Sequence, residues 1–324
     1  MSSCIITGAS GFIGTHLMKF FLDENRFDHL YVLDRQPPKL TDSRITHFQV
    51  DIRHIPELDF PDPPQVIYHL TALAREPGYE WDEYFQTNLT GTVEICNLAE
   101  RYDIPSIITT STMMVYRAGE QRMTENSLTA PDTAYGISKL LAEAQLKIWQ
   151  AAESKRRLRI IRASVVFGKG ENGNFLNLYK VLRRGLFFYI GRDTTVKSCI
   201  YVKDLVHCMD FLTTDTEQQN VYNLSFPEPT TIGEICRTML KVFNLNSRII
   251  TVPYSLALVG GYAFEILNNL RIFKSAVHHR RIQKLYYSTN ISADALKAAG
   301  FSWQYSLEDA LQEWREECLP DDLY

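Results

Sequence analysis

Three glycines constrain this chain more than any other feature. Ser3-Cys4-Ile5-Ile6-Thr7 is a short apolar run. Gly8-Ala9-Ser10-Gly11-Phe12-Ile13-Gly14 follows at once, and HLMKFFLDEN after it has helical periodicity. A strand that turns through glycines into a helix is the first half of a βαβ unit. Glycine lets the backbone turn sharply and approach a pyrophosphate. The helix start supplies oriented N–H groups and a partial positive charge. The spacing is GxxGxxG rather than GxGxxG, but the physics is similar. The next apolar run, Leu30-Tyr31-Val32-Leu33, ends in Asp34, 20 residues beyond Gly14. Dinucleotide folds place a ribose-binding carboxylate there. An acid favours NAD, because it repels a 2′-phosphate. Arg35 beside it could accommodate that phosphate, so NADP stays open.

The rest of the first half repeats the rhythm. His47-Phe48-Gln49-Val50 leads into Asp51-Ile52-Arg53, and Val66-Ile67-Tyr68-His69-Leu70 into Thr71-Ala72. A helix then passes through Asn88 to Arg101. Strands at Ser106–Thr110 and Leu158–Arg162 flank a helix containing AYGISK. Such alternation predicts an α/β fold, a Rossmann-type doubly wound parallel sheet with its working groups at the carboxyl ends of the strands. After Gly168-Lys169-Gly170 the rhythm weakens. The 324 residues are about twice a typical domain. The expected division is a nucleotide-binding domain at 1–166 plus about 196–226, and a smaller C-terminal α/β substrate domain at about 167–195 plus 227–324.

Tyr135 and Lys139 are four residues apart in AYGISKLLAEAQL, so on a helix they share a face. A phenol titrates near 10, and a nearby ammonium favours the phenolate. The pair is therefore a candidate proton-transfer group near neutral pH. Bulk properties narrow the remaining classes. A net charge of −4 gives no reason to expect nucleic acid. The six cysteines are scattered without a CxxC, so no metal site is expected and reduced thiols are. There is no run of 18 apolar residues and no leader-like start, which predicts a cytoplasmic protein.

TGASGFIG, Asp34, Asp51-Ile52, HLTA, Asn88, TSTMMVY, YGISK and IIRASVVFGKG together resemble the extended short-chain dehydrogenase/reductase family, across essentially the whole chain. The resemblance implies NAD held by Gly8, Ser10, Gly11, Phe12, Ile13, Gly14, Asp34, Arg35, Asp51, Ile52, Leu70, Thr71, Ala72, Asn88, Tyr135 and Lys139. It implies that Tyr135 is the acid/base at a sugar hydroxyl. Lys139 would bind the nicotinamide ribose and lower the Tyr135 pKa. Thr112 would hydrogen-bond the reacting oxygen, with Ser111 as its possible substitute. A homodimer through the Tyr135 helix and the helix before it is implied as well. Three positions depart from the family. Met113-Met114 stand where 4,6-dehydratases carry Asp-Glu, and a thioether cannot move the proton that elimination needs. Val165 replaces an Asn that contacts substrate. Arg117 replaces a Gly.

In the second half Asn174, Lys197 and Arg280 match family positions that hold a substrate diphosphate. From Ile266 to Ala293 there is no acid, while Arg271, Lys274, Arg280, Arg281 and Lys284 are basic and an apolar stretch precedes them. That composition suits either a diphosphate-binding domain or an element at an anionic lipid surface, on the cytoplasmic face of the inner membrane. The PY…GGY…FEIL pattern, KS-Y-V and GNF resemble a bacterial 4-epimerase branch that acts on N-acetylglucosamine carried by undecaprenyl diphosphate, for surface polysaccharide such as O-antigen. Neighbouring branches use UDP-sugars. The expected function is therefore an NAD-dependent sugar 4-epimerase. An NAD(P)H-dependent 4-keto-sugar reductase and a non-catalytic NAD-binding regulator are the alternatives.

Overall fold

The structure, a computed structural model, describes residues 2–76, 78–214, 219–269 and 279–319, with the side chains of 263, 266–269 and 280 excepted. The first half runs β1 (Ser3–Thr7), α1 (Phe12–Asp23), β2 (His29–Asp34), β3 (Ile45–Gln49), β4 (Val66–His69), α2 (Trp81–Tyr84), α3 (Gly91–Arg101), β5 (Ser106–Thr112), β6 (Gly119–Met123), α4 (Ala134–Ala151), β7 (Arg157–Ala163) and β8 (Val165–Phe167). The second half runs α5 (Asn174–Arg183), β9 (Leu186–Ile190), β10 (Cys199–Tyr201), α6 (Val202–Thr214), β11 (Val221–Leu224), α7 (Ile232–Val242), β12 (Arg248–Val252), α8 (Tyr254–Asn269), α9 (His279–Tyr286), β13 (Thr289–Ile291), α10 (Asp294–Ala298) and α11 (Leu307–Cys318).

Seven strands form one sheet in the order β11-β7-β5-β4-β1-β2-β3. Every pairing in it is parallel. All five residues of β1 are buried, as expected for a strand covered on both faces. Its alternate side chains enter two cores. Cys4 and Ile6 pack on the side that holds Leu17, Phe21 and Val206, while Ile5 packs with Ile95, Leu146 and Trp149. Strand order reverses between β1 and β4. The carboxyl ends of those two strands therefore open a crevice at the switch point, where doubly wound folds bind their ligands.

Three differences from the sequence expectation matter for the site. β5 extends to Thr112, so Ser111 and Thr112 lie within the sheet, opposite Arg162 and Ala163 of β7. The helix through Asn88 starts at Trp81 and is not regular, because it passes through a π-helical stretch at Phe85–Thr90. Such a stretch often marks a functional position, and here it carries Asn88. Finally, β11 joins the main sheet as a seventh strand outside β7. The remaining strands form parallel pairs, β8 with β10, β9 with β12 and β6 with β13. Among the described residues no helix is long and apolar enough to cross a membrane.

Candidate active site

The glycine turn forms the floor of the crevice. Gly8 has φ +70, and a Cβ there would lie 2.8 Å from the Thr71 backbone N. A Cβ on Gly14 would lie 2.4 Å from the Gly8 carbonyl oxygen. Both positions exclude any side chain, and helix α1 is thereby drawn tight against the turn. No side chain caps the N-terminus of α1. Its first N–H groups therefore remain available to an anion. Phe12 packs edge-on against His16, and Ile13 packs on the core. Asp34 reaches back from the end of β2. Its Oδ2 accepts from the Ser10 N–H at 3.1 Å and the Ser10 hydroxyl at 2.7 Å, and its Oδ1 from the Gln36 N–H at 3.1 Å. Arg35 next to it is exposed.

Asp51 and Ile52 have other partners. Arg53 donates to both Asp51 oxygens, at 2.9 and 2.6 Å, and holds that carboxyl down to about 2. Ile52 is core, and a Cβ on Gly91 would come within 2.9 Å of it. Leu70 and Thr71 donate their N–H groups to the Thr7 hydroxyl at 3.2 and 3.3 Å. Ala72 follows in the same loop. Asn88 is fully committed to the protein. It accepts from the Leu73 N–H at 2.8 Å, and donates to the Leu73 carbonyl at 3.2 Å and the Ser138 hydroxyl at 2.9 Å. It thus ties the loop after β4 to helix α4.

Beneath this loop lies a network that sequence reading missed. Thr7 Oγ1 meets His69 Nδ1 at 2.9 Å, and His69 Nε2 meets Thr92 Oγ1 at 3.1 Å. Thr92 spends its own hydroxyl proton on the Asn88 carbonyl at 2.6 Å. His69 must therefore donate from Nε2 and accept at Nδ1. Burial and the Lys139 charge push His69 down to about 3, so it is neutral. The only signal in the sequence was a histidine inside an apolar strand.

Tyr135 and Lys139 occupy the first turns of α4. Thr133 caps that helix by accepting from the Gly136 N–H at 3.1 Å. Gly136 allows a close approach, because a Cβ there would lie 2.4 Å from the Met114 carbonyl oxygen. The helix therefore rides directly on the turn after β5, and Thr112 comes within hydrogen-bond reach of the Tyr135 phenol. Thr112 also accepts from the Met114 N–H at 3.1 Å. The backbone N–H of Tyr135 points at Glu76, 3.4 Å away. Ser111, by contrast, turns away from the phenol and donates to Glu143 at 2.6 Å.

The electrostatics correct one expectation. In the protein alone Lys139 does not bring Tyr135 toward neutrality. Burial pushes the phenol up to about 12, against a lowering by Thr112. Lys139 is 4% exposed, and burial pushes its ammonium down to about 8, with Glu143 opposing. Among the described residues it makes no hydrogen bond or ion pair. A largely buried ammonium without a protein acceptor is completed best by a ligand that supplies one. The open helix terminus, the cradle at Gly8 and Gly14, the Asp34 carboxylate and this ammonium together fit a dinucleotide that ends in a ribose beside Lys139.

The expected substrate residues are scattered over the second half. Asn174 is exposed at the first position of α5. The carboxylate of Glu171 takes the N–H groups of Gly173, Phe175 and Leu176 there, and burial pushes it up to about 7. Lys197 Nζ donates to the carbonyls of Lys284 at 2.8 Å and Tyr287 at 2.6 Å, at the end of α9. Arg280 is on α9, and its side chain lies outside the described residues, as do Arg271 and Lys274.

Residues 4–225 match the NAD dependent epimerase/dehydratase family. Over 316 residues the chain is 28% identical to the N-acetyl-alpha-D-glucosaminyl-diphospho-ditrans,octacis-undecaprenol 4-epimerase of Escherichia coli O157:H7, covering 95% of this chain and 92% of that protein. It is 28% identical over 214 residues to the UDP-glucose 4-epimerase of Vibrio cholerae, covering 63% of this chain and 64% of that one. Among solved structures, UDP-glucuronic acid 4-epimerase from Bacillus cereus in complex with NAD shares the fold at a TM-score of 0.75 and 19% identity, over 97% of this chain and 99% of that one. The chain belongs to the NAD dependent epimerase/dehydratase family of extended short-chain dehydrogenases/reductases, and its cofactor is NAD.

Proposed function

We propose that this protein is a 4-epimerase of a diphosphate-linked hexose. The reading is that it converts N-acetylglucosamine to N-acetylgalactosamine on undecaprenyl diphosphate or UDP, for surface polysaccharide synthesis. The observation that carries it is the approach of Thr112 to the Tyr135 phenol, with Lys139 one turn further along the same face of α4. Likeness over nearly the full length to a 4-epimerase named for an undecaprenol-linked sugar supports it. Thr112 orients O4 of the sugar toward the Tyr135 phenol, and Tyr135 takes and returns the O4 proton. Lys139 holds the ribose of the cofactor. Bound NAD supplies a reversible hydride acceptor for C4. Met113-Met114 leave elimination without a proton carrier next to Thr112.

Inversion at C4 requires the hexose to turn over between the two transfers. The pocket must therefore grip the diphosphate and leave the ring room. Asn174 and Arg280 are the proposed grips, in a substrate domain formed by about 167–195 plus 227–324. Lys197 contributes by anchoring α9, the helix that carries Arg280, at its C-terminal end. A lipid carrier is supported by α8, which exposes Leu256 (63%), Val259 (66%) and Tyr262 (48%) and precedes the basic stretch in the sequence. A homodimer is supported by a second exposed stripe on α4, with Leu141 41% and Ile148 66% exposed, in line with Ile137 and Ala144.

The deciding experiment offers the protein both UDP- and undecaprenyl-diphosphate-linked N-acetylglucosamine with no added cofactor, and analyses the released sugar. N-acetylgalactosamine from the lipid-linked substrate alone is the expected result. Turnover of the UDP-sugar alone would remove the lipid carrier. Dependence on added NADH or NADPH would replace epimerisation with 4-keto reduction.

A further inference from the structure

Behind Lys139 lies a buried charge that the reaction as described does not use. Glu143 is 1% exposed and sits one turn beyond Lys139, so Tyr135, Lys139 and Glu143 follow one another at four-residue spacing on one face of α4. Its carboxylate takes three hydrogen bonds. Ser111 Oγ and Arg162 Nε donate to Oε1 at 2.6 and 3.0 Å, and Arg162 Nη2 donates to Oε2 at 2.7 Å. Arg162 is 3% exposed and is itself held from behind. Its Nη1 donates to the Tyr116 hydroxyl at 2.7 Å, which donates to Asn223 at 2.9 Å. One carboxylate thus joins helix α4, strand β5 at Ser111 and strand β7 at Arg162, and the two strand residues face each other in register.

A buried ion pair of this kind is a poor device for stability alone, because an apolar pair of similar volume often does as well or better. What distinguishes Glu143 is its neighbours. Ser111 precedes Thr112, the hydroxyl that meets the Tyr135 phenol, and Lys139 is the cation of the site. We propose that Glu143 is a positioning residue of the catalytic centre. Through Ser111 it fixes the end of β5, and so Thr112, against the turn of α4 that carries Tyr135. Its negative charge also keeps Lys139 protonated in its dry surroundings. The charge that acts on Lys139 is Glu143 on its own helix, and His69 from β4 is neutral; Glu143 itself faces Arg162 from β7 and, 3.9 Å away, Lys147 one turn further along α4. Glu143 is therefore the charge that raises the Lys139 pKa against burial. On this view Ser111 acts through Glu143 and not on the sugar.

The inference rests on the epimerase reading for its kinetic arm, and on NAD binding alone for its electrostatic arm. Glu143→Gln by itself strands the Arg162 charge and can abolish folding. The test therefore uses the neutral pair Glu143→Gln/Arg162→Met, and Ser111→Ala, which leaves the ion pair intact. Ser111→Ala should lower kcat about tenfold with KM nearly unchanged, since misplacement of reacting groups acts on the chemical step. It should leave the pH profile in place. The neutral pair should lower kcat at least as far and move the alkaline limb of kcat toward lower pH. NAD affinity, measured by calorimetry across pH, should fail at lower pH than in the wild type. Adding Ser111→Ala to the neutral pair should cost little more, because both act on one linkage.

Wild-type kcat in Ser111→Ala overturns the linkage to Thr112. An unchanged pH dependence of NAD binding in the neutral pair overturns the charge on Lys139. Full multiplication of the two effects in the triple variant overturns the shared route. A wild type that epimerises neither sugar overturns the epimerase reading instead, and the NAD titrations still decide the role of Glu143.

Discussion

Lys139 and Lys197 occupy two regions of the molecule and face the same problem. Lys139 is buried and Lys197 half-buried, and burial pushes each ammonium down to about 8. The solutions differ. At the carboxyl edge of the sheet Lys139 has no partner among the described residues, and only the field of Glu143 supports its charge. In the C-terminal third Lys197 gives two hydrogen bonds to backbone carbonyls that end α9. The first arrangement leaves all its donors to be completed by a ligand, and the second has already spent two of three on the fold. Position in a motif places a lysine, but its partners decide whether it is available for chemistry.

The comparison breaks first at the residue that Lys139 serves. Tyr135→Phe removes the proton carrier and leaves the crevice intact, so kcat should fall about 10³-fold while NAD binding persists. Conversion within tenfold of wild type would show that the proton moves elsewhere. Lys139→Met comes next, with an expected loss of about 10²-fold. Its pH dependence is the sharper reading. Lys139 is charged below its pKa of about 8 and neutral above it, so wild-type activity should decline as pH rises through about 8. Lys139→Met should lack that limb. A wild-type limb that survives in the variant belongs to another group.

Much of the first region was legible in the sequence. Gly8, Gly14 and Asp34 have steric and charge requirements that are local, so their spacing carries the turn and the crevice. Tyr135 and Lys139 needed only the helical period. What was not legible depends on contacts between segments far apart in the chain. The commitment of Ser111 to Glu143, the tie from Asn88 to Ser138 and the neutral His69 each require the sheet to be assembled first. The rise in the Tyr135 pKa is of the same kind, because burial is a property of the packed state. The second region was less legible, since two-stranded sheets and separate helices leave weak periodicity. β11 gave less signal than the equally short β4, because Asn223 interrupts its apolar run.

Gly136 tests whether the site depends on the close seat of α4. A methyl group there would lie 2.4 Å from the Met114 carbonyl oxygen and 3.0 Å from Pro131 Cβ. Backbone cannot yield as a side chain can, so the helix must lift from the turn that carries Thr112. Gly136→Ala should cost about 1–3 kcal/mol of stability by overpacking. It should also lower kcat about tenfold through the Thr112–Tyr135 geometry. Thermal unfolding and initial rates check both parts. A variant that is destabilised but fully active would show that the catalytic geometry tolerates the shift.

Lys197→Met has the smallest expected effect on catalysis and bears most directly on the contrast between the lysines. The substitution removes two charged hydrogen bonds to the end of α9 and keeps an unbranched side chain one atom shorter. Such bonds are worth more than neutral ones, but the side chain is partly solvated, so the expected loss is about 1 kcal/mol. A structural latch predicts a lower unfolding temperature, an unchanged kcat and a KM within about threefold of wild type. A group that grips the diphosphate predicts the opposite balance, with intact stability and KM raised tenfold or more. The ammonium spends two of its three donors on the carbonyls, so a full grip on a diphosphate would have to loosen that latch, and the balance of stability against KM tells the two roles apart. The second would mean that α9 releases Lys197 when substrate binds, and the two lysines would then be alike after all.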